Sequence, residues 1–235
     1  MTENRGTAPF SNVDDRRIIR GFYRTIPLYI LVPIGFALTF EAMHQSMQWI
    51  PFAAGALGWF VALMLRGPIA LAIKKAPKNR AVMMMGSVSG PFEELVRLFV
   101  LLFLGVGFSS ALSIGQGWAA IEVLFTIING MVIVTVIGRN DEKSIQVKEL
   151  LESTGNLNQS PLLGIWERIF ASAFHIGSTL LLARHLWMVV LLAPIHSILN
   201  LAAVNIAKKY AIMAEVFIAI IGTIVLFAGI TLFGF

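Results

Sequence analysis

Apolar runs long enough to cross a bilayer recur along the whole chain. A helix needs about 20 apolar residues to span the hydrocarbon core, and hydropathy divides the 235 residues into about seven such segments. The segments are 25–45, 51–74, 81–113, 117–138, 162–183, 185–206 and 210–234. With 57% of residues hydrophobic and 13% charged, the sequence predicts an all-α, polytopic transmembrane helix bundle.

Lysine and arginine are distributed unevenly among the connections. They precede the first segment and follow the second, fourth and sixth, whereas the opposite connections contain Arg184 alone. Under the positive-inside rule this asymmetry predicts a cytoplasmic N-terminus and a C-terminus outside. The basic residues on the predicted cytoplasmic side are Arg5, Arg16, Arg17, Arg20, Arg24, Lys74, Lys75, Lys78, Arg80, Arg139, Lys143, Lys148, Lys208 and Lys209.

The expected organisation is a basic cytoplasmic arm over 1–24 and a single membrane domain over 25–235. The arm is either an interfacial helix on anionic lipid or a solvated tail. A short amphipathic helix is predicted over 141–152, in the connection between the fourth and fifth segments. Because cytoplasmic connections that face anionic lipid account for the positive charge, we expect no nucleic-acid partner. Cysteine is absent, which excludes disulfides and thiolate chemistry.

Three of the predicted segments carry ionisable residues in apolar surroundings. The third has Glu93, Glu94 and Arg97, the fifth has His175 and the sixth has His196. Inserting such a group into hydrocarbon costs about 3 kcal/mol or more. Helical rise places Glu93, His175 and His196 at one depth, roughly 18–21 Å from the cytoplasmic boundary. The sequence therefore predicts that they meet near the middle of the bilayer.

Local spacing suggests how these residues interact. Arg97 lies four residues after Glu93 and three after Glu94, so it can hold either carboxylate ionised and leave the other free to accept a proton. The preceding Gly90-Pro91 suits a helix start or a break in a long span. His196 and Asn200 are four residues apart on one helix face, and together they can donate two hydrogen bonds to an oxyanion.

This set of residues suits hydrolysis of an amide bond by an activated water molecule. A glutamate would act as general base, His175 would orient the water, and His196 with Asn200 would stabilise the tetrahedral intermediate. A second version uses a zinc ion held by Glu93, His175 and His196, with the fourth position left for water. Both versions need the same residue types. Which of the two adjacent glutamates is the base stays open.

Three short motifs between Ala81 and Lys208 resemble those of the YhfC family, which is grouped with the CAAX-protease and bacteriocin-processing (CPBP) enzymes and the PrsW-like intramembrane proteases. The motifs are Glu93-Glu94-x-x-Arg97, Trp166-Glu167-Arg168 followed by Phe174-His175, and His196-x-x-x-Asn200. The resemblance implies a glutamate or metalloprotease-type endopeptidase that cleaves a membrane-associated peptide or protein. It also implies that Glu93 and His175 activate water while His196 and Asn200 form the oxyanion hole. The expected location is the bacterial cell membrane.

Other interpretations stay open. Supporting roles are expected for Glu94 and Arg97, and for the pair Glu167 and Arg168 near the cytoplasmic interface. Glu122 and Arg66 are further intramembrane ionisable residues, which are hypothesised to pair with each other. A transporter would use the same polar residues to relay protons or bind a solute, and it predicts paired broken helices. An inactive protease-like scaffold or immunity protein would keep them as structural contacts.

Overall fold

The computed structural model describes residues 12–139, 141–142, 144–145 and 161–234, and this part of the chain is helical without strands. The all-α class is therefore confirmed. A short 3-10 turn over Leu186–Met188 precedes the helix that begins at Val189. The helices are α1 Asn12–Ala42, α2 Trp49–Leu65, α3 Gly67–Ala72, α4 Lys78–Leu104, α5 Phe108–Ile137, α6 Pro161–Arg184, α7 Val189–Ala207 and α8 Ala211–Thr231.

Five stretches within the described residues are long and apolar enough to cross a membrane. They are Asp15–Ala42, Trp49–Ala72, Phe108–Ile137, Leu186–Ala207 and Ala211–Thr231. The helices α4 and α6 have 27 and 24 residues, which at 1.5 Å rise gives roughly 36–40 Å of length. Their lower hydropathy comes from the ionisable residues that they carry. These two long, less apolar helices thus carry most of the predicted site residues.

Six helices form a closed ring in the order α2, α4, α7, α8, α6 and α5, each packed against the next. The remaining long helix, α1, packs outside the ring against α5 and α6. Large apolar side chains such as Phe103, Trp187 and Val190 point away from the bundle and are exposed. Outward apolar faces on nearly every helix are what a lipid environment requires. The inside of the ring is left for the polar residues.

The turn between the third and fourth segments lies earlier in the chain than predicted. The turn between the third and fourth segments was expected near Ser113–Gly117, but α4 ends at Leu104 and α5 begins at Phe108. Gly105 takes φ +99° in that turn, a conformation that favours glycine. Gly117 instead lies within α5, where an added Cβ would be 1.9 Å from the carbonyl oxygen of Phe52. Its small size permits close packing of α5 against α2. Hydropathy alone cannot distinguish a glycine that serves helix packing from one that lies in a turn.

The predicted N-terminal arm is helical where it is described. The helix α1 begins at Asn12 and continues to Ala42, so the proposed boundary at residue 24 falls within a continuous helix. Residues 1–11 lie outside the described part of the chain. So does most of the amphipathic helix predicted over 141–152.

The predicted break at Gly90-Pro91 is wrong, because α4 passes through Pro91 without interruption. Pro91 has no N–H to donate to the carbonyl oxygen of Ser87, one turn earlier. Ser197 on α7 supplies the missing donor, and its Oγ lies 2.8 Å from that oxygen. Gly90 allows this approach, since a Cβ there would be 2.1 Å from the Ala193 carbonyl oxygen. A neighbouring helix therefore satisfies the backbone group that proline leaves free.

The interruption that the structure does contain lies in the second span. The helix α2 ends at Leu65, and α3 begins at Gly67 with Pro68 in its first turn. Arg66 is the residue between the two helices. The helix is thus interrupted at a residue whose basic side chain pairs with Glu93 inside the bundle.

We expect Ser197→Ala to lower the free energy of unfolding by about 1 kcal/mol, a typical value for a hydrogen bond between membrane helices. In a Pro91→Ala background the backbone N–H of residue 91 can bond to the Ser87 carbonyl, so the same substitution should have little effect. Unfolding in mixed detergent micelles measures both differences. Equal losses in the two backgrounds would show that Ser197 does not compensate for the proline.

Candidate active site

A cavity of about 230 Å³ lies inside the ring, and all six of its helices contribute to the lining. Much of the lining is polar or ionisable, in contrast to the outside of the bundle. The polar residues that line it are Arg66, Glu93, Glu122, Glu167, Arg168, His175, His196 and Asn200. The side chain of Glu167 is 38% exposed, the largest value among the ionisable lining residues. It marks the place where the cavity approaches the surface.

Glu93 extends from α4 into this cavity and is 4% exposed. Arg66 forms an ion pair with its Oε1. The indole Nε1 of Trp118 donates to Oε2 at 3.1 Å, and Nε2 of His196 lies 3.7 Å from the same oxygen. One oxygen is thus held by a cation, and the other faces a histidine across a gap too long for a direct hydrogen bond.

Glu94 and Arg97 form a fully buried ion pair behind the cavity wall. Nη1 of Arg97 lies 2.5 Å and 2.6 Å from the two carboxylate oxygens of Glu94. The guanidinium also stacks over the Trp118 ring at 4.5 Å. The sequence left open which glutamate Arg97 would hold, and the structure pairs it with Glu94. Glu93 is therefore the glutamate that reaches the cavity.

His196 is oriented by Glu94. Its Nδ1 donates to Oε1 of Glu94 at 2.8 Å, because a carboxylate bound to Arg97 can only accept. The other ring nitrogen, Nε2, then faces Glu93. Phe174 packs against the imidazole with ring centroids 5.0 Å apart. These contacts leave the ring little freedom to rotate.

His175 lies between two charged residues. Nη2 of Arg97 donates to its Nδ1 at 3.0 Å, and Oε2 of Glu122 is in contact with its Nε2. Glu122 is in turn paired with Arg168, which also holds Glu167. The predicted supporting pair Glu167 and Arg168 is therefore present, at the edge of a larger network.

The hypothesised pairing of Arg66 with Glu122 is wrong. Arg66 reaches Glu93 on α4, whereas Glu122 pairs with Arg168 and His175 on α6. Spacing along the chain could not reveal these contacts, since each joins different helices. The available signal was only that both residues are ionisable within an apolar span.

Asn200 shares a helix face with His196 and lines the same cavity. Its Nδ2 donates to Oγ of Ser89 at 3.0 Å, and that hydroxyl donates to the Gly86 carbonyl oxygen at 2.8 Å. An amide nitrogen carries two hydrogens. One is therefore used to position the side chain, and the second is available to a ligand.

The charges of the network do not cancel when both histidines are neutral. Three guanidiniums face four carboxylates. These are Arg66, Arg97 and Arg168 with Glu93, Glu94, Glu122 and Glu167. An uncompensated negative charge is costly in a buried site, so a proton that a reaction releases into the cavity would be stabilised there. The site is electrostatically suited to accept a proton.

The buried group of Glu93, His175 and His196 could hold a metal ion, since one ligand atom from each lies within 4.8 Å of the others. Glu94 on the far nitrogen of His196 is the arrangement that metal-binding histidines commonly have. His175 does not fit in the same way. Because arginine only donates, Arg97 occupies the lone pair of Nδ1, and the proton then resides on Nε2. His175 would have to leave Arg97 to become a ligand.

Comparison of the chain with protein-family models, curated proteins and solved structures finds no match. The geometry of the cavity therefore carries the functional argument.

Proposed function

We propose that this protein is an intramembrane endopeptidase in which Glu93 is the general base that activates water. The observation that carries the proposal is the environment of the Glu93 carboxylate. One oxygen is anchored by Arg66, and the other faces His196 across an internal cavity. A base held in this way can take a proton from water while staying in place. The expected substrate is a peptide or protein that is itself associated with the membrane.

The proposed architecture has seven spans, with α4 and α6 added to the five apolar ones. The N-terminus is cytoplasmic and the C-terminus is outside, in a bacterial cell membrane. The basic connections support this orientation. In this orientation the approach to the cavity lies on the cytoplasmic side, because Glu167 is six residues after Pro161 at the start of α6. Substrate would enter from that side or from the surrounding lipid.

The 3.7 Å between Glu93 Oε2 and His196 Nε2 allows one water molecule to contact both atoms. In the proposed reaction the water oxygen attacks the carbonyl carbon of the scissile peptide, and Glu93 takes the proton that water releases. The tetrahedral intermediate then breaks its C–N bond as Glu93 returns the proton to the leaving nitrogen. The products are a carboxylic acid and an amine, and Glu93 is again ionised.

The proposed reaction has no step that requires zinc, the metal that best suits a ligand set of one carboxylate and two imidazoles. We expect wild-type protein to keep its activity in the presence of EDTA or 1,10-phenanthroline, and to contain much less than one equivalent of zinc. Mass spectrometric metal analysis of the purified protein measures the second quantity. Loss of activity that zinc restores would replace the proposal with a metalloprotease site.

The proposal is tested by incubating detergent-purified protein with a library of single-span peptides and identifying products by mass spectrometry. We expect internal cleavage of a subset of the peptides. Glu41→Gln is the control variant, because it removes a glutamate that lies outside the cavity. Glu41 is exposed and accepts a hydrogen bond from Ser46 Oγ at 3.1 Å. Intact peptides throughout, with well-folded protein, would favour the transporter or scaffold interpretation.

A further inference from the structure

We infer that the two histidines of the site are held in opposite neutral tautomers, and that Glu122 is the positioning residue that presents His175 to the substrate as a hydrogen-bond donor. The substrate role rests on the proposed function. The tautomers themselves follow from the hydrogen bonds of the network and require no activity.

Arg97 fixes the first tautomer. A guanidinium has donors and no acceptor, so the 3.0 Å contact from Arg97 Nη2 to His175 Nδ1 requires a lone pair on that nitrogen. Arg97 cannot turn away easily, because Glu94 binds its Nη1 and the Trp118 ring covers its face. A proton on Nδ1 would place two N–H donors, one from His175 and one from Arg97, against each other. His175 therefore carries its proton on Nε2.

Glu122 completes the arrangement on the other side of the ring. Its Oε2 contacts His175 Nε2, and its Oε1 is held by Arg168. With the proton of His175 on Nε2, we expect this carboxylate to be its acceptor and to fix the plane of the imidazole. When a substrate carbonyl enters the cavity, this N–H is the group that can be shared with its oxygen.

The network fixes the opposite tautomer in His196. Glu94 accepts the Nδ1 proton at 2.8 Å, so the neutral ring has its lone pair on Nε2, 3.7 Å from Glu93. The cavity thus receives an acceptor from His196 and a donor from His175. Water is then held by Glu93 and His196, and the developing oxyanion is stabilised by His175. The resemblance to the YhfC family implies the opposite assignment, in which His175 helps to activate water and His196 belongs to the oxyanion hole.

The direct test is nitrogen NMR of the full-length protein in lipid nanodiscs, prepared with isotope-labelled histidine. The chain has four histidines, so each resonance can be assigned by substituting them one at a time. We expect the unprotonated nitrogen to be Nδ1 in His175 and Nε2 in His196. The same tautomer in both residues, or a proton on Nδ1 of His175, would overturn the inference.

Variants separate the role of Glu122 from a general structural effect. Glutamine has one acceptor oxygen for two donors, so Glu122→Gln cannot serve both Arg168 and His175, whereas Glu122→Asp keeps two carboxylate oxygens. Glu167→Gln is the matched control, since it removes the other carboxylate on Arg168 without contacting a histidine. We expect the His175 resonances to change in Glu122→Gln and to keep the wild-type pattern in Glu122→Asp and Glu167→Gln. Identical spectra for Glu122→Gln and wild type would contradict a positioning role.

Kinetics give the second readout. Loss of one oxyanion donor lowers kcat by about 10²–10³-fold, so Glu122→Gln should lower kcat by that factor with KM nearly unchanged. Partial recovery in Glu122→Asp is expected. If peptides are cleaved and kcat is unaffected, the inference fails while the proposed function stands. If no peptide is cleaved but the two tautomers differ, the proposed function fails and the tautomer assignment stands.

Discussion

Glu93→Gln is expected to reduce peptide hydrolysis by at least about 10²–10⁴-fold, the usual contribution of a general base, while the bundle stays folded. Glutamine has nearly the same shape, and its amide oxygen can still accept from Arg66. It cannot take a proton from water. The rate constant for cleavage of a single-span peptide measures the loss, and thermal unfolding of the same preparation measures the fold.

The comparison with Glu41→Gln makes this result specific. Both substitutions remove one carboxylate from the chain, but Glu41 lies on α1, outside the ring that encloses the cavity. We expect wild-type rates for Glu41→Gln. If Glu93→Gln kept more than about one-tenth of the wild-type rate, Glu93 would not be the base, because general-base effects are larger than that.

Arg97→Met is expected to cause the largest loss of stability, about 3–5 kcal/mol. Both partners of the Glu94–Arg97 pair are fully buried, and removing one of them leaves an uncompensated charge in the interior. Arg97 also donates to His175, so the substitution removes a second buried interaction. The free energy of unfolding in mixed detergent micelles measures the effect.

The double variant Glu94→Met with Arg97→Met tests the cause. Replacing both members of a buried ion pair by apolar residues is often neutral, so the double variant should be markedly more stable than Arg97→Met alone. It should also be inactive, because His196 loses the acceptor that orients it. Equal destabilisation of the single and double variants would show that packing, rather than the unpaired charge, dominates.

The sequence was sufficient to predict which residues meet at the centre of the site. Helical rise and the basic connections placed Glu93, His175 and His196 at one depth, and in the structure their ligand atoms lie within 4.8 Å. Spacing also placed Arg97 within reach of either glutamate. The choice between them depends on Arg66, which holds Glu93 from the junction of α2 and α3. No pattern along the chain contains that information.

The other differences between the predictions from sequence and the structure also arise from contacts between helices. Glu122 and Trp118 enter the site because α5 is one of the helices of the ring, and their partners lie on α4 and α6. Pro91 was expected to break α4, but a hydroxyl on α7 satisfies the free carbonyl. Local propensities describe one helix at a time. Contacts between helices decided which glutamate faces the cavity and where the helices are interrupted.

The most direct test of the central claim is cleavage of a single-span peptide by the wild-type protein in liposomes prepared in water labelled with heavy oxygen. Hydrolysis inside the bundle should place one labelled oxygen in the new carboxyl group of the N-terminal fragment, and Glu93→Gln liposomes should yield intact peptide. Intact peptide with the wild-type protein, together with movement of protons or a solute across the same liposomes, would contradict a hydrolytic site and favour a transporter.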